Sequence, residues 1–281
     1  MSFMDRFKWL LDRKGSRFVL SPLVGYLARR QGKGITRVFY DDGIWIHQTL
    51  CGYFAYHRPF VRLDLSKFDE LARTNFLWGY QPEPGDVVVD VGAGVGEEAL
   101  TFSRAVGERG KVICIEAHPR TYRCLEKLVQ YNLLSNVIAI HRAVAEPSCQ
   151  IATIADGNEY LRNRSDAAAG IPVACTTIDA IHQQLGLGRV HFLKMNIEGG
   201  ERFAIRGMLQ TLHQTEAVCI SCHDFLAETT GDGGLRTKAT VQGFFQQNGF
   251  RLVQRQEASL PPYLRDQVWA YNEELLRQAA S

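Results

Sequence analysis

The sequence lacks an apolar run of the roughly 18 residues that a membrane-spanning helix needs. It also lacks a strong charge of either sign, since its 281 residues carry a formal net charge of only +2. The first absence argues against a transmembrane protein, and the second gives no support for a nucleic-acid partner. The N-terminus has no apolar signal core followed by small residues, which favours a cytoplasmic protein over a secreted one.

An even, regularly spaced set of cysteines is also missing, which argues against a disulfide framework. The seven cysteines are an odd number spread along the chain, and they are typical of reduced, buried thiols. One stretch, Cys219–His223, matches the C-x-x-C-H pattern of haem attachment. It lies in an apparent buried strand, where residues three apart point to opposite faces, and no second cysteine pair is present for zinc. We therefore interpret these cysteines as core residues and predict no metal.

The third glycine of the nicotinamide-binding pattern G-x-G-x-x-G is absent. Val87–Val91 is a run of apolar residues around one Asp, typical of a strand buried on both faces. Gly92 and Gly94 follow, but Glu97 stands where the G-x-G-x-x-G pattern needs glycine. A carboxylate there would oppose a pyrophosphate at the helix start, although it suits the helix dipole itself. The sequence therefore disfavours an NAD-dependent enzyme.

The loop has a different pattern, Asp-x-Gly-x-Gly-x-Gly, which runs from Asp90 to Gly96. It resembles the first motif of class I S-adenosylmethionine-dependent methyltransferases. That cofactor carries a sulfonium and an ammonium, so a carboxylate and loop carbonyls suit it better than a phosphate cradle. The residues predicted to bind it here are Asp90, Gly92, Ala93, Gly94 and Gly96.

Two further strands extend the predicted cofactor site. Lys111–Glu116 ends in a carboxylate about 20 residues after the glycine loop, where an acid accepts hydrogen bonds from both ribose hydroxyls. Ala117 follows it directly. Residues 136–144 are predicted as the third strand, whose last part, Arg142 and Ala143, should pass near the adenine. Residues 146–175 are predicted as an inserted hairpin or loop.

Residues 1–80 form a predicted N-terminal extension before a methyltransferase domain at 81–281. Residues 1–37 contain nine Lys/Arg against two Asp/Glu, and 3–14 has the spacing of a basic amphipathic helix. Such a helix either packs on its own domain or a partner, which we favour, or makes peripheral contact with an anionic membrane. A hairpin at 37–47 and a helix at 65–78 follow. The aromatic residues of this extension are interpreted as core or as a substrate lid.

The second half of the chain is predicted to form the other side of the ligand-binding crevice. Strands at 190–195 and 217–222 should each end in polar side chains at the carboxyl edge of a parallel sheet, where ligands bind. These side chains are Asn196, Glu198, His223 and Asp224. With two closing strands at 249–253 and 267–271, the prediction is an α/β, Rossmann-like fold with seven mostly parallel strands and helices on both faces.

From about Asp86 to His223 the chain resembles the FkbM family of S-adenosylmethionine-dependent methyltransferases. The resemblance rests on the glycine loop and on three further stretches, Glu116–Pro119, Thr177–Asp179 and Leu193–Glu201. The last is similar to the family pattern Lys-x-Asp-x-Glu-Gly-x-Glu, except that Asn196 stands where Asp is usual. The resemblance implies methyl transfer to a hydroxyl of a natural product or glycan.

Methylation of a hydroxyl needs alignment and a base that removes the hydroxyl proton. His223 is the first candidate because its ordinary pKa lies near neutral pH, and Glu198 and Asp224 are the others. Asn196 cannot be a base, but it can orient the acceptor or the methionine part of the cofactor. Asn196, Glu198 and Asp224 could supply oxygen ligands to a divalent metal, although the Asn removes a charge and disfavours it. Glu201 is predicted to cap or charge the next helix, which is expected to run to Met208, and not to take part in the chemistry.

Two alternatives stay open on these residues. Asn196 is compatible with a protein that binds the cofactor but is impaired in catalysis. The basic N-terminus is compatible with a membrane-peripheral enzyme that acts on a lipid-linked glycan. The motifs identify neither the acceptor nor the oligomeric state, and a homodimer is compatible with them.

Overall fold

The computed structural model describes residues 16–155, 170–256 and 259–279. Its strands form a central sheet and two smaller sheets. In chain order they are β1 (Ile35–Asp41), β2 (Ile44–Thr49), β3 (Gly52–Tyr56), β4 (Val87–Val91), β5 (Lys111–Glu116), β6 (Val137–His141), β7 (Ala143–Val144), β8 (Ile151–Ile154), β9 (Ile171–Thr176), β10 (Val190–Met195), β11 (Thr215–Ser221), β12 (Arg251–Val253) and β13 (Gln267–Tyr271).

Helices connect these strands, and short 3-10 turns lie at Leu65–Lys67, Ile205–Gly207 and Gly233–Leu235. In chain order the α-helices are α1 (Ser16–Arg29), α2 (Phe68–Phe76), α3 (Glu97–Val106), α4 (Pro119–Tyr131), α5 (Ile178–Leu185), α6 (Glu201–Ala204), α7 (Leu209–Leu212), α8 (Asp224–Thr230), α9 (Lys238–Gln247), α10 (Pro262–Arg265) and α11 (Glu273–Ala279).

The central sheet has seven strands in the order β12-β13-β11-β10-β4-β5-β6. Strands β11, β10, β4, β5 and β6 pair in parallel, whereas β13 is antiparallel to both of its neighbours. Helices cover both faces, because the inner strands are apolar on both sides and must be buried on both. The predicted Rossmann-like α/β fold, including its two closing strands, is confirmed.

The order of the strands fixes where a ligand can bind. From β4 the chain first adds β5 and β6 on one side, and it later returns to add β10 and β11 on the other. The loops that leave β4 and β10 therefore diverge and open a crevice at the carboxyl ends of these two strands. The glycine loop follows β4 and the Asn196 loop follows β10, so the topology brings the two sequence motifs together.

The predicted third strand is divided in the structure. Residues 137–141 belong to the central sheet, whereas Ala143 and Val144 pair in parallel with β9 in a small sheet. Strand β8 completes that sheet by antiparallel pairing with β9, so the predicted insertion does contain a hairpin. Residues 156–169, between β8 and β9, lie outside the described residues. The single strand predicted for 136–144 was wrong, because both halves are mainly apolar and the sequence does not mark the change of sheet after His141.

The N-terminal region is a three-stranded antiparallel sheet and not the two-stranded hairpin that was predicted. Its third strand, β3, packs on α4, where the Asn132 side chain bonds both the N–H and the carbonyl of Tyr53 at 2.9 and 2.7 Å. The Lys127 ammonium also binds Asp41. One apolar cluster contains residues of this sheet together with Leu100 and Leu128 of α3 and α4. The extension is thus packed directly on the helices of the cofactor-binding region.

Several helices differ from the sequence predictions. The helix expected at 65–78 is a 3-10 turn followed by α2, and the one expected at 201–208 is interrupted after Ala204. Helices α8, α9 and α11 were not predicted. The basic helix predicted for 3–14 lies outside the described residues. Within the described ranges, no helix is both long and apolar enough to cross a bilayer.

The cysteines lie in two kinds of environment. Cys219 and Cys222 are buried in or beside β11 and belong to apolar clusters on opposite faces of the sheet. This arrangement agrees with the prediction that they are core residues. Cys51 is exposed, and Cys149 and Cys175 are half-buried with their sulfurs 2.8 Å apart. The expectation that all the cysteines are buried was therefore wrong for these three.

Candidate functional site

The glycine loop after β4 is held by main-chain hydrogen bonds. The N–H groups of Gly92 and Ala93 both donate to the carbonyl of Ile115 on the neighbouring strand, at 2.8 and 3.1 Å. Gly92 has a φ of +75°. A Cβ at this position would lie 2.1 Å from the Asn196 carbonyl oxygen. Only glycine allows the loops after β4 and β10 to approach this closely.

Glu116 ends β5 beside that loop. One carboxylate oxygen accepts from Gly94 N at 2.9 Å, and the other accepts from His118 N at 2.8 Å. Burial raises the pKa of Glu116 to about 7, against the opposing effect of the two N–H donors. Each oxygen keeps a second lone pair, so the ionised carboxylate can still accept two hydroxyl donors.

Asp90 lies behind the loop and not in the lining of the pocket. Its carboxylate forms a fully buried ion pair with Lys194, with 2.8 Å between Nζ and Oδ1. The ammonium also donates to the carbonyl of Gly92 at 3.0 Å. Burial would lower the pKa of Lys194, but the Asp90 carboxylate raises it above its ordinary value. The pair therefore connects β4 with β10 and supports the glycine loop from below.

A pocket of about 880 Å³, including its open mouth, lies between the carboxyl ends of β4, β5, β6 and β10. Eight of the ten residues predicted to bind the cofactor line it, namely Gly92, Ala93, Gly94, Glu116, Ala117, Arg142, Ala143 and Asn196. The other two, Asp90 and Gly96, are not in the lining. Gly96 instead has a φ of +92° at the position before α3. The contacts of all ten with a cofactor stay predictions.

The loop after β10 forms the opposite wall. Glu198 lines the pocket and has a φ of +48°, which is strained for a residue with a side chain. The Glu201 carboxylate holds this loop, because it accepts from Ile197 N at 3.2 Å and from Gly199 N at 2.8 Å. The prediction assigned Glu201 only to capping the next helix. In the structure it is fully buried and turns back to shape the loop that carries Glu198.

His223 follows β11 and lies next to Glu201. Its Nδ1 is 3.6 Å from Glu201 Oε1, and only 9% of the residue is exposed. Burial would lower the pKa of His223, but the Glu201 carboxylate outweighs this and raises it above the ordinary value of 6.5. The carboxylate of Glu198 contributes to the same rise of the pKa, although His223 is not part of the pocket lining.

Asp224 has a structural contact that the sequence did not indicate. Its Oδ1 accepts from Thr237 N and Lys238 N at 3.0 and 3.1 Å, so the carboxylate caps the start of α9. Asp224 is not in the lining of the pocket, and the base and metal-ligand roles considered for it stay predictions. In the part of the chain that the structure describes, no group of three or more His, Cys, Asp or Glu is arranged to hold a metal ion.

Several residues at or beside the pocket were not predicted as site residues, among them Glu97, Glu98 and Tyr56. Glu97 and Glu98 both line it, although the sequence indicated only that they begin a helix. Burial raises the pKa of Glu98, with Lys194 opposing and Asp90 supporting that rise. The hydroxyl of Tyr56, from the N-terminal sheet, donates to Glu97. The position of Glu97 and Glu98 directly after the glycine loop was a usable signal, whereas nothing in the sequence connects Tyr56 to this pocket.

The pocket fits S-adenosylmethionine by its chemistry. The side-chain oxygen of Asn196 is buried, lines the pocket and lacks a partner among the described residues, so it can accept from an ammonium. Glu98 adds a carboxylate, which suits a cationic ligand. Glu116 offers its two oxygens to ribose hydroxyls.

Comparison with known proteins agrees with this chemistry. The Methyltransferase FkbM domain matches residues 90–252. A search of the curated proteins found no match to this sequence.

Similar solved structures include an Aeropyrum pernix fibrillarin with natively bound S-adenosyl-L-methionine (14% identity, TM-score 0.45, over 84% of this chain and 98% of that one). They also include the Methyltransferase FkbM of Methylobacillus flagellatus (16% identity, TM-score 0.49, over 74% of this chain but 50% of that one). A SAM-dependent methyltransferase from Aquifex aeolicus is similar over 75% of this chain and 98% of that one (17% identity, TM-score 0.41). Because the family match spans more than half of the sequence, the chain belongs to the FkbM methyltransferase family and is an S-adenosylmethionine-dependent methyltransferase.

Proposed function

We propose that this enzyme methylates a hydroxyl oxygen of a natural product or glycan, with His223 as the general base. The observation that carries the proposal is the pair formed by His223 and the buried Glu201 carboxylate, 3.6 Å apart. A neutral hydroxyl is a poor nucleophile, and a base that removes its proton contributes about 10²–10⁴-fold. A histidine whose pKa is raised by a carboxylate is a stronger base in its neutral form.

Other residues of the pocket bind the cofactor and align the acceptor. S-adenosylmethionine supplies an activated methyl group when bound. Asn196 and Glu98 bind the cationic methionine part, and Glu116 binds the ribose. The loop of Glu198, held by Glu201, forms the wall between that site and His223. Catalysis then consists of alignment of the acceptor by the pocket and proton removal by His223.

The test is a screen of glycans and polyketide-type alcohols, together with amines and thiols, for methyl transfer, followed by a pH–rate profile with the best acceptor. We expect kcat/KM to rise with pH through a pKa above 6.5, because only neutral His223 accepts a proton. His223→Gln should lose this rise and about 10²–10⁴-fold of activity while its cofactor affinity is unchanged. An unchanged profile in His223→Gln would refute the role of His223, and turnover of amines or thiols alone would refute hydroxyl methylation.

One observation favours a second function, a protein that binds the cofactor but is impaired in catalysis. Asn196 stands where the family pattern usually has Asp, and its amide cannot take a proton. Tight cofactor binding with no transfer to any acceptor would support this function. Recovery of methyl transfer in Asn196→Asp would support it further. The acceptor, the cytoplasmic location and the oligomeric state stay predictions.

A further inference from the structure

Helix α1 has an apolar face that is turned to solvent. Leu23, Tyr26 and Leu27 are 49%, 55% and 40% exposed, and their spacing of three and four residues puts them on one side of the helix. The opposite side packs on β1 through Val24 and Ala28, both fully buried. That packing fixes the orientation of the helix, so the exposed face cannot turn inward.

The same surface is strongly basic. The sequence contains no Asp or Glu between Asp12 and Asp41. Among the described residues, no ion pair includes Arg29, Arg30 or Arg37. Arg29 and Arg37 also line a groove between α1 and β1, next to the exposed apolar face.

Lys33 is not counted in this surface. Its ammonium donates to the carbonyls of Val61 and Arg62 at 2.5 and 2.8 Å, so it is already committed to a loop of the same chain. The three arginines are the exposed cations of the surface that form no ion pair among the described residues. Arg30 donates to the Tyr26 hydroxyl at 3.4 Å and Arg37 lies over the Phe39 ring, and neither contact neutralises the charge.

We propose that this basic-apolar surface, defined as Leu23, Tyr26, Leu27, Arg29, Arg30 and Arg37, docks on an anionic phospholipid bilayer. Apolar side chains on one helix face enter the boundary between headgroups and acyl chains, and flanking basic side chains bind anionic headgroups. The charge is of one sign across the whole surface, which complements a bilayer rich in anionic lipid. Docking does not depend on the acceptor or on the role of His223.

The test is co-sedimentation of the full chain with vesicles of phosphatidylcholine alone and of phosphatidylcholine with a quarter of phosphatidylglycerol. We expect binding to the anionic vesicles, weak binding to the neutral ones, and loss of binding as salt is raised to about 0.5 M, where charges are screened. Equal binding to both vesicle types, or no binding to the anionic ones, would overturn the proposal.

Two variants assign the binding to this surface. Arg29→Gln/Arg30→Gln/Arg37→Gln should weaken binding about 10²-fold, since each basic residue near the bilayer contributes about 1 kcal/mol. Leu23→Ser/Tyr26→Ser/Leu27→Ser should weaken it at least about tenfold by removing apolar contact.

The matched control is Leu209→Ser/Arg109→Gln, which changes an exposed leucine (45%) and an exposed arginine away from α1. This control should bind like the wild type. Circular dichroism and cofactor affinity report whether each variant is folded. Residues 1–15 are the same in every variant, so folded triple variants that bind as tightly as the wild type would assign docking to another part of the chain and overturn the proposal.

Discussion

The two walls of the crevice are built differently. The wall formed by β4 and β5 is held by main-chain hydrogen bonds, as in the donations of Gly92 N and Ala93 N to the carbonyl of Ile115. The wall after β10 depends on one buried carboxylate, Glu201, which bonds its own loop and lies beside His223. The first wall is a cradle whose backbone is bonded to the neighbouring strand β5. The second is a strained loop held from behind, so a single substitution there should disturb chemistry more than cofactor binding.

Gly92→Ala should have the largest effect on the crevice, because it forces its two walls apart. The added Cβ would lie 2.1 Å from the Asn196 carbonyl, at a φ of +75°. We expect cofactor affinity to fall by more than about 10³-fold, measured by calorimetric titration, because the pocket cannot keep its shape. Gly107→Ala is the control, since its φ of +63° is similar but no atom lies within 4 Å of the added Cβ. Similar losses of affinity in both variants would contradict the steric explanation.

Lys194→Met tests the ion pair beneath the glycine loop. It leaves the Asp90 carboxylate buried without its cation, and we expect the free energy of unfolding to fall by about 3–5 kcal/mol in urea titrations. The double variant Asp90→Asn/Lys194→Met should recover much of this loss, because no charge is then left unpaired. A single variant that loses less than about 1 kcal/mol would show that the pair contributes little to the cradle.

The pH dependence of cofactor binding tests the first wall separately from the second, because Glu116 belongs only to the wall formed by β4 and β5. Its pKa is raised from 4.5 to about 7, so folding takes up a proton between these values. The stability of the free protein should therefore fall as pH rises through that window, by about 3 kcal/mol in total.

Cofactor affinity should change in the opposite direction, since the ribose hydroxyls donate to the ionised carboxylate. We expect affinity to weaken about tenfold for each pH unit below 7. Glu116→Gln should bind more weakly and without this pH dependence, measured by titration from pH 5.5 to 8.5. A wild-type affinity that is constant across this range would contradict the assignment of Glu116 to the ribose.

Tyr56→Phe has the smallest expected effect and tests whether the N-terminal sheet supports the cradle. It removes the hydroxyl that donates to Glu97 at the pocket edge. We expect a loss of about 1–2 kcal/mol in stability and only a few-fold in cofactor affinity. Tyr53→Phe is the matched control, because its side chain lies in the same strand while its bonds to Asn132 use the main chain.

Local patterns predicted most of the central sheet and the cradle. The runs that form β4, β5 and β10 are apolar on both faces, and this composition is sufficient to predict buried parallel strands. The failures lie where the pattern is ambiguous. The change of sheet after His141 leaves no trace in the sequence, because β6 and β7 are both short and apolar. Helix α9 was missed because its start is capped by Asp224 from another helix.

The sequence by itself determined the Rossmann-like sheet, the glycine loop and the carboxylate of Glu116, because each depends on residues adjacent in the chain. Only the tertiary structure decided the roles available to Asp224, Glu201 and Tyr56. These roles depend on contacts that join segments separate in sequence, such as Tyr56 with Glu97 or Glu201 with Thr237. Hydrogen-bonded contacts of that kind depend on how the loops and helices pack around the sheet, and no local spacing of residues encodes them.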